Sequence, residues 1–423
     1  MTKWMQMVSA VVLSLAVWGG SALAASTTHH HAKKSKTTAA GKTTAGAKGA
    51  TAHRTHARAA ASSRSQTAVQ RSGTTRAVRH GRGTRRVLAV RRSRYQEHFS
   101  ASSYADNLTL GDVTEGEDPV VRAAAIQALG NMNGTAVAIN PTNGRILAMV
   151  NQKLALSRGA EPCSTIKLTV ALAALEEGLI RRDTPVNLGG GYHLTLTEAL
   201  AHSNNLYFET VGRSLGFERV KHYANEFGLG ELAGYHIQGE QLGTYPDAEL
   251  PASLGGVGRM CSFGESVSMT PLQLGAIVSA IANGGTLYYL QHPETAAEVA
   301  GFQPMVKRKL NIAPLIPEIQ DGMHAAVQYG TARSLRTNFK EFPVMGKTGT
   351  CSNNGTRFGW FGSFADTPNG PIVTVIFLEG GRPTFGPKAA ELTGQFYRAL
   401  WDKSYFQPKN SAGVETSTVG GMN

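Results

Sequence analysis

The chain is organised around one stretch, Pro162-Cys163-Ser164-Thr165-Ile166-Lys167, which continues into an almost wholly apolar run that ends at Gly178. Proline before the run and glycine after it predict a buried helix. Positions three apart share one face of a helix, so the Ser164 hydroxyl and the Lys167 amine should lie within mutual reach. The pair is a nucleophile beside a possible base, and the free N–H groups of the first turn favour a nearby oxyanion. These features suit acyl transfer.

Two further motifs follow in the chain: Ser203-Asn204-Asn205 and Lys347-Thr348-Gly349-Thr350. Alone, the S-x-x-K of the first stretch would more often be a capped helix with a solvated lysine. In the order S-x-x-K, S-x-N, K-T-G, the three motifs match the active-site set of the penicillin-recognising serine acyltransferases. The chain therefore resembles the transpeptidase domain of penicillin-binding proteins, over roughly residues 105–404.

The resemblance extends beyond the three motifs. Segments that carry it are 134–150, 264–285, 322–323, 330–332 and 360–361. Some positions depart from the pattern. The family usually has glycine before the nucleophile and an aromatic residue before the motif lysine, where this chain has Cys163 and Ile166, and its Gly-x-Gly stretch reads Gly264-Glu265-Ser266 here. The residues of the three motifs are all present, so these departures bear on the choice of substrate and the efficiency of the reaction and not on its type.

The resemblance implies a role for each motif residue. Ser164 would attack the peptide bond of a D-alanyl-D-alanine stem peptide, and Lys167 would accept its proton if desolvation and the nearby Lys347 lower its pKa. Ser203 would relay a proton to the leaving amine. Asn205 would hold Lys167 and the substrate backbone, although the segment at 203–205 would also make a good helix N-cap.

The third motif is expected to bind the substrate. Thr348 and Thr350 alternate on a strand and so face one side, where their hydroxyls can bind the terminal carboxylate. Gly349 has no side chain, so the backbone can approach a ligand closely. The N–H groups of Ser164 and Thr350 would form the oxyanion hole. The alternative is an edge strand with a solvated lysine. No cofactor is expected, and the histidine and cysteine spacings give no zinc pattern.

The patterns predict an α/β (α+β) fold. The expected helices span 119–129, 164–179, 197–215, 219–227, 271–282, 316–328 and 389–401. The expected strands span 135–139, 145–150, 344–350, 356–365 and 372–379. Strands at both ends with helices between them suggest one sheet made from both termini and an inserted helical subdomain. The resemblance implies an antiparallel five-stranded sheet flanked by helices, as in β-lactamases.

The N-terminal quarter of the chain is of a different kind. Residues 1–25 have the layout of a secretory signal peptide, with an uncleaved membrane anchor as the alternative. Residues 26–94 contain 5 Lys and 12 Arg and no acidic residue, so we expect a disordered basic tail over 26–104. Residues 105–404 form the transpeptidase-like domain, and 405–423 form a disordered C-terminal tail. After residue 94 there are 24 basic and 29 acidic residues, so the +13 of the whole chain comes from the tail.

Export to the periplasm or cell envelope follows from this layout, with anchoring to the inner membrane as an option. The expected partners are peptidoglycan stem peptides and β-lactams. The polycationic tail would meet anionic envelope polymers or the membrane surface. Nucleic acid is excluded as a partner by export.

The three cysteines make an odd count for an oxidising compartment. The resemblance would place Cys163 and Cys351 near the cleft, whereas Cys261 lies in a glycine-rich stretch. The pairing stays open from the sequence, and buried free thiols are the interpretation that we favour at this stage.

Several functional alternatives also stay open. An enzyme that transfers the acyl group to an amine would be a D,D-transpeptidase, and one that transfers it to water would be a D,D-carboxypeptidase. A serine β-lactamase shares the fold and the nucleophile but hydrolyses its acyl-enzyme rapidly. A catalytically weak wall-binding protein would only recognise peptide. The sequence indicates neither the oligomeric state nor the cellular process, such as division or elongation.

Overall fold

The structure is a computed structural model and describes residues 97–407. The expected leader or anchor, nearly all of the basic tail and most of the C-terminal tail lie outside the described residues. The α-helices are α1 Pro119–Leu129, α2 Gln152–Ala155, α3 Lys167–Glu176, α4 Leu196–Ala201, α5 Asn205–Leu215, α6 Phe217–Glu226, α7 Gly256–Phe263, α8 Pro271–Ala282, α9 Ala296–Ala300, α10 Ile316–Gln328 and α11 Gly386–Asp402. The strands are β1 Gly134–Asn140, β2 Arg145–Val150, β3 Val186–Asn187, β4 His193–Leu194, β5 Thr286–Tyr288, β6 Val306–Lys309, β7 Val344–Asn353, β8 Thr356–Thr367 and β9 Gly370–Gly380. Short 3₁₀ helices span Cys163–Ile166, Ala252–Leu254, Ala313–Leu315 and Arg333–Thr337.

The main sheet has five antiparallel strands in the order β2-β1-β9-β8-β7. Its first two strands come from the N-terminal side of the domain and the other three from the C-terminal side. The predicted fold class, a sheet built from both ends of the domain, is therefore confirmed. Strand β7, which carries the third motif, lies at one edge and pairs with β8 alone in this sheet.

The two faces of the sheet bury different sets of side chains. Val375 and Phe377 of the central strand β9 face α8 and the helical insertion. Ile376 and Leu378, between and beyond them, face α1 and α11. This alternation follows from the period of two along a strand. The sheet is thus covered on both faces, and its two cores are separated by one layer of backbone.

Helices α3 to α10 form the insertion between β2 and β7. Helix α3 is buried along Lys167–Leu175, and α8 is buried along Pro271–Ile281. A helix that is apolar all round must lie in an interior. Thr270 starts α8 in a reciprocal capping box with Gln273, which satisfies two N–H groups that burial would otherwise leave unpaired.

Most predicted elements match the structure, and three of the helices have the predicted bounds. One prediction is wrong: the helix expected over 197–215 is two helices, α4 and α5, because Ser203 between them has a left-handed φ of 54°. The helix expected from Ser164 starts instead as the 3₁₀ turn Cys163–Ile166 and becomes α-helical at Lys167. Helix α7 was not predicted, because its sequence is rich in glycine.

The ordered domain extends beyond the limits set from sequence. Ser103, which the sequence places in the basic tail, is buried, hydrogen-bonds to Thr384 (2.9 Å) and accepts from the Gly381 N–H (2.7 Å). Phe406 is buried as well. In residues 97–407 we find no helix with the length and apolar character needed to cross a bilayer.

A matched pair of leucine substitutions tests the assignment of the core. Leu378 is fully buried in β9, whereas Leu110 is 83% exposed. We expect Leu378→Ala to lower the free energy of unfolding by about 2–5 kcal/mol through lost burial and the remaining cavity. Leu110→Ala should change it by less than about 0.5 kcal/mol. Urea denaturation measures both values, and equal effects would contradict the assignment.

Candidate active site

The nucleophile candidate lies on a short turn that the sheet core holds in place. Ser164 is in the 3₁₀ turn Cys163–Ile166, at the start of α3. The buried Trp360 of β8 stacks on Phe377 with the ring centroids 3.9 Å apart, and its Nε1 donates to the backbone carbonyl of Glu161 (3.0 Å). An indole that is packed on one side and hydrogen-bonded on the other fixes the backbone just before Ser164.

Lys167 is at the centre of the site. Its Nζ lies 2.7 Å from the Ser164 Oγ, 2.7 Å from the Asn205 Oδ1 and 3.0 Å from the Ser203 backbone carbonyl. The Ser203 hydroxyl is 3.2 Å away. The side chain is fully buried. The structure therefore brings the first two motifs together around one amine.

These contacts match the valence of a neutral amine. A neutral lysine has two N–H donors and one lone pair, and two of its neighbours, the Asn205 Oδ1 and the Ser203 carbonyl, can only accept. The lone pair is then available for the hydroxyl proton of Ser164. The arrangement is that of a base in contact with its nucleophile.

Ser203 connects the second motif to the third. Its hydroxyl accepts from the Nζ of Lys347 (2.8 Å) and also lies next to Lys167. The left-handed φ of Ser203 is a strained conformation for a residue other than glycine, and such strain is often found at functional sites. The N-cap of α5 is Asn204, whose side chain accepts from the Tyr207 N–H (2.8 Å), which leaves Asn205 available for Lys167.

Both lysines are electrostatically perturbed. Burial lowers the pKa of Lys167 well below its usual 10.5, the charge of Lys347 lowers it further, and Glu209 acts in the opposite direction. Burial alone lowers the pKa of Lys347 to about 7. Because an ammonium group loses hydration in the interior, the neutral amine becomes accessible near neutral pH.

The third motif lies on the edge strand β7. The Thr348 hydroxyl is 2.7 Å from that of Thr331, and the Thr350 hydroxyl accepts from the Gly386 N–H at the start of α11 (2.8 Å). Thr331 and Gly386 were not identified as site residues from the sequence. The segment 330–332 resembled the family, but nothing in it indicated a contact with Thr348.

Gly349 has a steric reason to be glycine. A Cβ at this position would lie 2.8 Å from the carbonyl oxygen of Pro162, closer than real Cβ atoms approach. The absence of a side chain thus lets β7 lie directly against the turn that carries Ser164.

An open cavity of about 630 Å³ continues the site past Thr350. Cys351, Glu161, Glu265 and Arg259 contribute to its lining. Burial and the nearby charge of Glu265 together raise the pKa of Glu161 to about 7, against the opposing charge of Arg259. The cavity has both acidic and basic walls and opens to solvent.

The expectation of three free thiols is wrong for two of them. Cys163 and Cys351 form a disulfide, with their Cα atoms 5.5 Å apart. Cys261 is free and buried. The sequence could not reveal the pairing, because 188 positions separate the two half-cystines and only the packing of β7 against the turn brings them together. Their expected location at the cleft is confirmed.

Comparison with known proteins gives one family. The family model described as the penicillin binding protein transpeptidase domain matches residues 134–398 of the sequence. Stage V sporulation protein D of Bacillus subtilis is 30% identical over an alignment 316 residues long, and the match covers 62% of this chain and 48% of the relative. Peptidoglycan D,D-transpeptidase MrdA of Acinetobacter baumannii is 24% identical over an alignment 350 residues long, and that match covers 64% of this chain and 51% of the relative. The matched regions thus cover about half the length of these two relatives.

A solved structure shows the same fold. The D,D-transpeptidase domain of a peptidoglycan glycosyltransferase from Eggerthella lenta superimposes with a TM-score of 0.53. The match covers 67% of this chain and 81% of that one, at 19% sequence identity.

The burial of Lys347 predicts a pH dependence of stability. Below pH 7 both the folded and the unfolded chain bind the proton, and the cost of burying the charge is at its full value. Between about 7 and the unfolded value of 10.5 only the unfolded chain binds it, so the free energy of unfolding should rise by roughly 1.4 kcal/mol per pH unit from this group. Urea denaturation from pH 6 to pH 9 measures the slope.

The control compares two lysine substitutions. Lys347→Met should reduce the rise in stability with pH. Lys340→Met, at an exposed position, should leave it as in the unmodified protein. Equal slopes for the two variants would contradict the burial of an ionisable amine at Lys347.

Proposed function

Because the chain belongs to the family of penicillin-binding protein transpeptidase domains, we propose that it is a serine D,D-transpeptidase that acts on D-alanyl-D-alanine stem peptides of peptidoglycan. The observation that carries the proposal is the buried Lys167 amine within 2.7 Å of the Ser164 hydroxyl, among acceptors that suit its neutral form. Binding of β-lactams follows from the same chemistry, because they acylate the same nucleophile.

In the first step Ser164 forms the acyl-enzyme. Its Oγ attacks the carbonyl carbon between the two D-alanine residues while its proton passes to Lys167. The N–H groups of Ser164 and Thr350 stabilise the tetrahedral oxyanion. Such a donor typically contributes about 3 kcal/mol or more to the transition state.

In the second half of this step the peptide C–N bond breaks. The leaving nitrogen of D-alanine needs a proton, which Lys167 returns through the Ser203 hydroxyl. The 2.8 Å contact between Ser203 and Lys347 keeps that hydroxyl oriented and adds positive potential. The acyl group then remains on Ser164 as an ester, and free D-alanine departs.

The acyl-enzyme is consumed by a second nucleophile. In transpeptidation the amine of a neighbouring stem peptide attacks the ester carbon and loses a proton to Lys167. The C–O bond to Ser164 then breaks, Lys167 returns the proton to the Ser164 oxygen, and the new peptide bond is released. Attack by water instead would give D,D-carboxypeptidase activity. Asn205 holds Lys167 in place for both half-reactions through its side-chain oxygen.

The terminal carboxylate of the substrate is assigned to the third motif. The hydroxyls of Thr348 and Thr350 alternate along β7 and are held in place by Thr331 and Gly386. In its protonated form Lys347 supplies positive charge next to them. Hydroxyl donors together with a nearby cation favour a carboxylate over a neutral C-terminus.

We place the protein outside the cytoplasm, with residues 1–25 as a leader or anchor. The 17 basic residues of 26–94 would keep the domain close to anionic lipid or wall polymers.

Labelling with a fluorescent penicillin tests the mechanism. The unmodified protein should form a covalent adduct that persists for hours, and Ser164→Ala should lower the labelling rate by at least about a thousandfold because it removes the attacking atom. Ser157→Ala is the matched control and should label normally. Denaturing gel fluorescence followed over time measures both formation and loss of the adduct.

The other outcomes separate the alternatives. Loss of the adduct within seconds would favour a β-lactamase. A protein that never forms an adduct would overturn the acyl-enzyme mechanism and favour a wall-binding role. With a D-alanyl-D-alanine peptide as substrate, mass spectrometry distinguishes the cross-linked product of a transpeptidase from the hydrolysed product of a carboxypeptidase.

The pH dependence of acylation tests the role of Lys167. Because burial and Lys347 hold its pKa well below 10.5, the neutral base should be populated well below pH 10.5 and lost on acidification, so the acylation rate should fall as the pH is lowered. Lys167→Arg cannot supply a neutral base and should be slower by at least about a hundredfold at every pH. A rate that rises only near pH 10 would contradict a perturbed lysine base.

A further inference from the structure

The disulfide joins the two backbone segments that supply the oxyanion hole. Cys163 directly precedes Ser164, and Cys351 directly follows Thr350. Each of the two N–H donors assigned to the oxyanion is therefore one residue from a half-cystine. The two donors are far apart in the sequence, and the disulfide links their backbone segments covalently.

Apart from the disulfide, packing and not hydrogen bonding joins the turn to the strand. Between the turn Cys163–Ile166 and β7, the described residues form no backbone hydrogen bond, because β7 pairs with β8 on its other side. The close approach at Gly349 is a steric contact, which limits how near the segments come but not how far apart they move. The Trp360 hydrogen bond to Glu161 comes from β8, not from β7.

The turn is closed by the Thr165 N–H and hydroxyl, which both donate to the carbonyl of Pro162 (3.1 and 2.6 Å), but these bonds do not act on Cys163 itself. The turn has no side-chain N-cap, and Cys163 adopts a left-handed φ of 52°, a conformation that costs free energy for a residue with a side chain. The surrounding structure must therefore hold it there. The bond to Cys351 is a covalent restraint that acts on this very residue.

An oxyanion hole depends strongly on the separation of its donors. Both N–H groups must lie about 2.7–3.1 Å from one oxygen position, and an error near 1 Å in a reacting group can reduce a rate about a hundredfold. We propose that Cys163 and Cys351 are positioning residues, and that their disulfide holds the Ser164 and Thr350 N–H groups at the separation needed for acylation. The inference rests on the proposed function.

The bond is accessible to a small reductant. Cys351 is partly exposed and lines the open cavity beside Thr350. Dithiothreitol would give two electrons and two protons to the disulfide, which becomes two thiols, and would itself become a cyclic disulfide. Cys261 is fully buried, and burial raises the pKa of its thiol, so it stays unreactive in the folded protein.

The test measures acylation of the oxidised and reduced full-length protein by a chromogenic β-lactam. The protein is reduced with dithiothreitol and desalted without oxygen, and thiol counts in denaturant should rise from one to three. We expect the limiting acylation rate to fall at least about tenfold on reduction, while the concentration for half-maximal rate changes less than about threefold. Re-oxidation should restore the rate.

Substitutions separate the cross-link from the individual side chains. Cys163→Ser, Cys351→Ser and the double variant all lack the same bond, so each should show the same loss as reduction, and the double variant should be no slower than either single one. None of the three should respond to dithiothreitol. The matched control, Cys261→Ala, keeps the bond and should lose rate on reduction as the unmodified protein does.

Several results would overturn the inference. Reduced protein that acylates at the oxidised rate, effects of the single variants that add in the double variant, or weaker binding with an unchanged limiting rate would each do so. Loss of near-ultraviolet circular dichroism on reduction would also overturn it, because unfolding would then explain the slower rate. If the serine variants do not fold, the acylation rates of the oxidised and reduced unmodified protein alone test the inference.

The proposed function is tested separately. Labelling of the oxidised protein at Ser164 depends on the acyl-enzyme mechanism alone, so normal labelling with no effect of reduction would remove only the positioning role. Absence of labelling in the oxidised protein would remove both.

Discussion

The active site depends on placing two lysine amines in the interior around one serine hydroxyl. Lys167 and Lys347 are both fully buried, and Ser203 lies within 3.2 Å of each amine. Burying an ammonium group is costly unless it is hydrogen-bonded. The fold meets this requirement with backbone carbonyls of Ser203 and Thr348 and the side-chain oxygen of Asn205. The part of the burial cost that these hydrogen bonds do not offset lowers the pKa values of both lysines. In the proposed mechanism the lowered pKa of Lys167 lets it act as a base.

Much of this could be predicted from sequence where local signals agree. Helices α1, α8 and α10 have the predicted bounds because a proline is the first or second residue of each and the apolar pattern continues to the end. The strands could be recognised from their apolar composition, and their position at both ends of the domain indicated one sheet. The motif residues were identified through their order along the chain, which a resemblance can supply and a single motif cannot.

What could not be predicted depends on contacts between distant residues. The break between α4 and α5 needs a left-handed φ at Ser203, for which serine gives no local signal. The pairing of Cys163 with Cys351 and the contacts of Thr331 and Gly386 with the threonines of β7 arise only after the sheet and the insertion have packed together. The residues that take part in the reaction could therefore be identified from the sequence, whereas residues that position them, such as Thr331 and Gly386, could not.

The active site is divided between the helical insertion and the sheet, which explains why residues that fix the two parts relative to each other matter. Ser164, Lys167, Ser203 and Asn205 belong to the helical insertion or its edge, whereas Lys347 to Thr350 belong to the sheet. A small movement of one layer against the other would separate nucleophile, base and oxyanion donors at once. Contacts that cross this boundary near the nucleophile include the Lys347–Ser203 hydrogen bond, the Trp360–Glu161 hydrogen bond and the disulfide. Hydrogen bonds can lengthen or break when one layer moves against the other, whereas the disulfide limits the separation of Cys163 and Cys351 to the reach of one covalent bridge.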